Sequence, residues 1–220
     1  TVMEQKATSP LKKDKALYAP STTPHLIELP DMLFLAVDGQ GDPNTSTAYQ
    51  HAVEALYGLS YAIKMSKMDG TQPEGYYEYS VFPLEGLWDL SNLDAISAAF
   101  EIKDKAGFLW TSMIRQPEFV TQEVLTQARQ KLARKKPALD TAAVRLMRYR
   151  EGLCVQVMHL GPYNAEPATV RAMAKFVEEN GCVHDFDSGR RHHEIYLSDP
   201  RRTAPEKLKT VLRHPVAKAP

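Results

Sequence analysis

Cysteine is nearly absent: Cys154 and Cys182 are the only two in 220 residues. Their spacing has neither the paired pattern of a zinc site nor the density of a disulfide scaffold, so two free thiols in a reducing cytoplasm are expected. Long apolar runs are missing too. No stretch approaches the ~20 residues that span a bilayer, and the first residues carry no signal-peptide core, so no membrane partner is expected. Nor is there an excess of either charge. Lys+Arg and Asp+Glu both number 27, so no positive field draws the chain to nucleic acid, and a DNA-binding role is disfavoured.

Recognisable catalytic motifs are scarce as well. The loop Asp38-Gly39-Gln40-Gly41-Asp42 precedes a helical pattern, but it ends on an acid and lacks the following Lys with Ser or Thr that a phosphate loop requires. Glycines in a turn that needs positive φ explain it more simply. There is no nucleophile elbow. His192-His193-Glu194 invites a metal, yet neighbouring strand residues point to opposite faces, so one ion would not take both histidines, and neither metal nor cofactor is expected.

What is present is an alternation of short apolar segments. Residues 1–24 are polar and read as a flexible leader, loose or laid over a domain spanning 25–220. His25 to Leu29 and Leu33 to Val37 read as strands joined by a turn at Pro30-Asp31. Thr45 to Lys67 carries Tyr49, Val53, Leu56, Tyr57, Tyr61 and Met65 at helical spacing. Tyr76 to Phe82 is rich in strand-forming aromatics, and Pro83 to Trp88 leads away from it. Asp89 to Ala106 reads as a connection with a short helix, and Phe108 to Arg115 as a strand. Thr121 is placed to cap a helix running to Lys136.

The second half aligns with the first. Leu29 to Val37 lies against Tyr149 to Val157, and Gly41-Asp42-Pro43-Asn44 against Gly161-Pro162-Tyr163-Asn164. Tyr76-Tyr77-Glu78-Tyr79 lies against His192-His193-Glu194-Ile195, and Met113 to Pro117 against Val211 to Pro215. Four matches in one order argue for an internal duplication. The predicted fold is therefore α+β, a tandem pseudo-symmetric repeat of a strand-helix-strand-strand unit with a ligand cleft between the halves. The first half is 25–118, a connecting helix lies in 119–140 and the second half is 141–216.

Glu194 is the residue to explain, because on a strand it shares a face with Tyr196 and, by the alignment, answers to Glu78. Acids Glu78, Glu85 and Glu194 are interleaved with Tyr57, Tyr61, Trp88, Trp110, Tyr149 and Tyr196. Aromatic walls with a buried carboxylate suit flat, lipophilic or cationic ligands.

Gly41 to Asn44, Tyr76 to Tyr79, Pro83 to Trp88, Met113 to Pro117, His159 to Tyr163 and Glu194 to Asp199 together resemble the GyrI-like small-molecule-binding family, from about Leu26 to Pro215. The likeness is to stand-alone members. It implies an aromatic cleft in which a glutamate matching Glu194 meets the ligand, and some members are similar to hydrolases that open the cyclopropane ring of DNA-alkylating compounds and so detoxify them. In that chemistry Glu194, with a raised proton affinity, would activate water. Tyr196 or a tyrosine across the cleft would hydrogen-bond the ligand carbonyl, and Trp88 and Trp110 would stack on the flat ligand. The other readings are a module that sequesters lipophilic or cationic drugs without turnover, and an interaction protein resembling a topoisomerase inhibitor.

Overall fold

The computed structural model describes residues 14–90, 105–186 and 189–220. Its strands are β1 (His25–Gln40), β2 (Leu84–Trp88), β3 (Leu109–Arg115), β4 (Arg145–Leu160), β5 (Cys182–His184), β6 (His192–Tyr196) and β7 (Lys209–Lys218). Its helices are α1 (Lys15–Tyr18), α2 (Thr47–Lys64), α3 (Gln122–Lys135) and α4 (Glu166–Glu179). The strands run in the order β4-β1-β3-β2-β6-β7, all antiparallel, and β7 pairs again with β4, which closes the sheet into a barrel. The short β5 pairs with the end of β7.

Two long strands make closure possible. β1 pairs with β4 through His25 to Ala36 and with β3 through Phe34 to Gln40, so one strand serves two neighbours in succession. β4 does the same between β1 and β7. The expected turn at Pro30-Asp31 is instead an irregularity inside β1: Pro30 has no N–H to give, and Gly152, opposite Leu29, takes φ +71°. Asp38-Gly39-Gln40 also continues β1 as strand, contrary to the loop read there. Gly39 is needed for space, since a Cβ would lie 2.2 Å from the Trp110 ring, and Gly41 supplies the positive φ of +128° that ends the strand.

α2 is capped by Ser46, whose hydroxyl accepts from the Tyr49 N–H, and it buries Ala52, Ala55, Leu56, Leu59 and Ile63 against β1, β3 and α3. Thr121 caps α3 as the sequence suggested, accepting from the Val124 N–H. α4 covers β4 and β5, with Val170, Met173 and Val177 against Val155, Val157 and Leu212. Tyr76 to Phe82 is not a strand; the strand is Leu84–Trp88, which is buried along its whole length. The rings of Tyr76, Tyr77 and Tyr79 instead gather around Phe119, which satisfies their apolar area without a ladder. Residues 14–18 lie on the domain, with Leu17 and Tyr18 buried and Asp14 paired to Arg115 at 2.5 Å. The remaining leader residues 1–13, and 91–104 where a short helix was expected, lie outside the described residues.

On the barrel face turned away from α4 the strands bury charge. His193 is fully buried, with Nδ1 2.9 Å from Glu151 and Nε2 2.7 Å from Glu85. Arg213 reaches Glu151 at 3.1 Å and the Gln156 carbonyl at 3.1 Å, while the Tyr18 hydroxyl donates to Glu85 at 3.3 Å. Both imidazole nitrogens face carboxylates, so both donate and His193 is an imidazolium. Two cations then balance two anions, which is the condition for burying them at all. Burial opposes ionisation of Glu151, but His193 and Arg213 outweigh it and hold its carboxyl down to about 2. Burial likewise opposes the charge on His193, and Glu151 and Glu85 overcome it, raising its proton affinity.

Glu151→Gln should therefore cost about 3–5 kcal/mol of unfolding free energy in urea titrations at neutral pH, since it strands the cations without an anion. A loss below about 1 kcal/mol would contradict this account of the interior. For the wild type, the depressed Glu151 contributes stability above about pH 4.5 that is lost as pH falls toward about 2. The raised His193 contributes below its ordinary value of 6.5, and that part is lost as pH climbs through its higher folded value.

Candidate functional site

The opposite face of β6 carries His192, Glu194 and Tyr196, one residue out of phase with the buried His193. A cleft of about 1800 Å³ opens over it. Its walls are the Tyr49, Val53, Tyr57 and Tyr61 side of α2, the end of α3, Trp88 at the end of β2, and Tyr163 and Glu166 at the start of α4. Residues of both 25–118 and 141–216 therefore line it. Tyr49 stacks on Trp88 at 6.3 Å between centroids, and Tyr57 on Tyr61 at 6.4 Å, so one wall is a run of rings spaced by helical turns.

At the floor, Glu194 is held from two sides. The Tyr196 hydroxyl donates to Oε2 at 2.6 Å, and His192 Nε2 donates to Oε1 at 2.9 Å. The Trp88 indole N–H in turn donates to the Tyr196 oxygen at 3.1 Å, and His192 Nδ1 shares a proton with His214 Nε2 at 2.7 Å. His214 is itself kept neutral by burial, its proton affinity well below that of an ordinary histidine. Cross-strand from Glu194 stands Gly86. A Cβ there would meet Trp88 Nε1 at 2.9 Å and the Tyr196 hydroxyl at 3.1 Å, so the glycine makes room for this chain of donors.

Glu166, in the first turn of α4, is fully buried, and among the described residues neither of its oxygens receives an N–H or O–H donor. The group its carboxyl meets is Glu194. One oxygen of each carboxyl lies within 4.8 Å of the other, and two carboxyls buried that close favour the state in which one keeps its proton. Two anions ~4 Å apart at an effective dielectric of ~20 repel by about 4 kcal/mol, or roughly three pKa units, so one stays protonated at neutral pH. Burial and the charge of Glu194 raise the proton affinity of Glu166 far above that of an ordinary carboxyl, and Lys105 only weakly opposes them. Glu194 goes the other way. Burial would raise it, but His192, Tyr196 and the Glu166 proton together hold it below the usual carboxylate range. The raised proton affinity expected at Glu194 is thus found at Glu166, because Glu194 collects the donors and Glu166 has none to collect. Burial and Glu194 also push the Tyr49 and Tyr163 hydroxyls up to about 12, keeping both as neutral donors.

Donor atoms of Glu166, His192 and Glu194 lie within 4.8 Å of one another, a spacing an ion would tolerate. The donor set is one histidine and two carboxyls rather than the tandem histidines, with His192 Nε2 2.9 Å from Glu194 Oε1.

Of the residues picked out from sequence, Tyr57, Tyr61, Trp88, Glu194 and Tyr196 line the cleft. The others lie elsewhere. Glu78 is exposed and pairs with Lys64 at 2.7 Å and Lys67 at 3.1 Å, off any strand, so it is not the positional counterpart of Glu194. Glu85 points into the barrel toward His193. Trp110 is buried beneath Tyr49, 5.1 Å edge to face, and borders a separate, smaller pocket of about 460 Å³ with Asp38 and Arg191. Tyr149 sits on β4 outside the cleft lining. Glu166, Tyr49, Tyr163 and His214 were not anticipated. Acids in the first turn of a helix are ordinarily solvated there by preference, so nothing in the local pattern distinguishes Glu166.

A model of the GyrI-like small molecule binding domain matches residues 22–217. Among solved structures, a hydrolase from Listeria innocua is 46% identical with a TM-score of 0.86, the match covering 96% of this chain and 100% of that one. The hydrolase encoded by lin2189 of the same organism is 48% identical with a TM-score of 0.86, covering 94% and 98%. The EcmrR C-terminal domain, at 12% identity and a TM-score of 0.50 over 90% and 98% of the chains, shares the fold alone. A search of curated proteins gave no match. No helix among the described residues is long and apolar enough to cross a membrane.

Gly86→Ala tests the packing of the floor. It should fold, since the clash is with two side-chain ends, but break the Trp88–Tyr196 bond at a cost of about 1 kcal/mol and shift the fluorescence of Trp88. Unchanged stability and an unchanged spectrum would show that the chain of donors does not depend on the glycine.

Proposed function

This chain belongs to the GyrI-like small-molecule-binding family, and we propose that it is a hydrolase of flat, electrophilic small molecules bearing strained rings. Cyclopropane-bearing DNA alkylators are the substrate class, and their detoxification is the role. The observation that carries the reading is the ionised, doubly hydrogen-bonded Glu194 at the floor of an aromatic cleft. Two neighbours at 46% and 48% identity that are named hydrolases support it.

In the reaction, Glu194 takes a proton from a water molecule as the water oxygen forms its bond to the ring methylene. The ring C–C bond breaks, and its electron pair passes through the conjugated system to a carbonyl oxygen, which takes a proton from solvent while Glu194 releases to solvent the one it took from water. A neutral Tyr49 or Tyr163 hydroxyl facing the cleft can donate to that oxygen as charge develops. His192 and Tyr196 fix the plane of the Glu194 carboxylate. Trp88 and Tyr49 supply the surface on which a flat ligand stacks. The duplicated strand-helix-strand-strand organisation is part of this proposal: β1–β3–β2 and β4–β7–β6 pair by one pattern, which supports it, with the cleft drawing on both. Two buried free thiols fit a cytoplasmic setting.

A second reading has an observation of its own. An anion at the base of aromatic walls also suits a lipophilic cation held without turnover. Incubation with a cyclopropane-bearing alkylator, followed by mass spectrometry of the ring-opened product, separates the two. The proposal expects turnover by wild type and a loss of about 100-fold or more in Glu194→Gln. Absence of turnover, together with quenching of Trp88 by flat cationic dyes, would instead establish the binding module.

A further inference from the structure

Opening a conjugated cyclopropane leaves Glu166 without a chemical task. The charge it releases travels through the conjugated system to a carbonyl several bonds from the attacked carbon, whereas the Glu166 carboxyl lies against the base itself, with the donor atoms of Glu166, His192 and Glu194 all within 4.8 Å of one another. A buried acid beside the base suits a different electrophile, one in which the charge released on ring opening stays on an atom bonded to the carbon that water attacks. An epoxide is such a ring, with oxygen as that atom.

We propose that the protein also hydrolyses aryl-substituted epoxides to vicinal diols, with Glu194 as the base and Glu166 as the acid. The inference rests on the same assignment of Glu194 as base. Water loses a proton to Glu194 while its oxygen bonds to one ring carbon. The C–O bond of that carbon breaks, and the departing oxygen takes the proton of Glu166. Epoxide and water have become a diol, leaving Glu194 protonated and Glu166 ionised. The two carboxyls, with oxygens within 4.8 Å, are close enough for the proton to return from Glu194 to Glu166, so the pair resets without any outside donor or acceptor. The full burial of Glu166 and the lack of any other donor to its oxygens keep the proton there between turnovers. The walls select the substituent: Tyr49, Tyr57, Trp88 and Tyr163 face the cleft, and its volume of about 1800 Å³ accepts polycyclic aryl groups.

The test incubates the full chain with styrene oxide and with a phenanthrene oxide in heavy-oxygen water. Diols are followed by mass spectrometry, and a cyclopropane-bearing alkylator is run in parallel. Wild type should form diols above the buffer rate, each with one heavy oxygen and inversion at the attacked carbon. Glu194→Gln should lose about 100-fold or more on both substrate classes. Glu166→Gln, which keeps an N–H toward Glu194, should lose about 100-fold on epoxides but less than about tenfold on the cyclopropane. Equal losses of Glu166→Gln on the two classes would overturn its role as acid. Cyclopropane opening by wild type without diol formation would overturn this inference alone, and failure on both classes would overturn the hydrolase reading with it.

Discussion

Two carboxyls, those of Glu166 and Glu194, with oxygens within 4.8 Å of each other, are the constraint around which the cleft is built. Two carboxyls buried against each other cannot both ionise, so the fold must decide which one holds the proton. It decides by distribution of donors. Glu194 receives Tyr196 and His192, while Glu166 receives neither and sits fully buried at the start of α4. The outcome is a carboxylate held low in proton affinity beside a carboxyl held high, the separation that the proposed base and acid roles require.

The same five-residue strand serves a second set of charges. Because side chains alternate, His193 enters the barrel between Glu85 and Glu151 while its neighbours His192 and Glu194 face the cleft. The interior network is balanced and closed, joined to Arg213 and covered by Tyr18, and it fixes the position of β6 between β2 and β7. Rigid support on one face is what allows a preorganised carboxylate on the other. A slip of one residue in the register of β6 would exchange the two sets, so the site and the stability of the barrel are specified together.

Much of this was legible in the sequence, for identifiable reasons. The period of α2 and the Thr121 cap of α3 are local signals, and the helices follow them. Alternation on His192 to Tyr196 placed Glu194 and Tyr196 on one face, and their hydroxyl-to-carboxylate bond at 2.6 Å agrees. Tyr76 to Phe82 failed because aromatic content was weighed above pairing: those rings find apolar contacts around Phe119, and the buried strand is Leu84–Trp88, which contains a glycine and a glutamate that a propensity scale penalises. Glu78 fell with it, since its equivalence to Glu194 required that strand. Glu85 reads from sequence as a cleft acid, and nothing local marks Glu151 or Arg213, because the burial of all three depends on barrel closure, a property of long-range pairing between β4 and β7 that no local pattern encodes.

The most direct measurement is the infrared difference spectrum of wild type minus Glu166→Gln at neutral pH. The account predicts the loss of one protonated carboxylic acid C=O band in the variant, with the Glu194 carboxylate bands retained. Loss of carboxylate bands alone, with no protonated carboxyl present in the wild type, would contradict it.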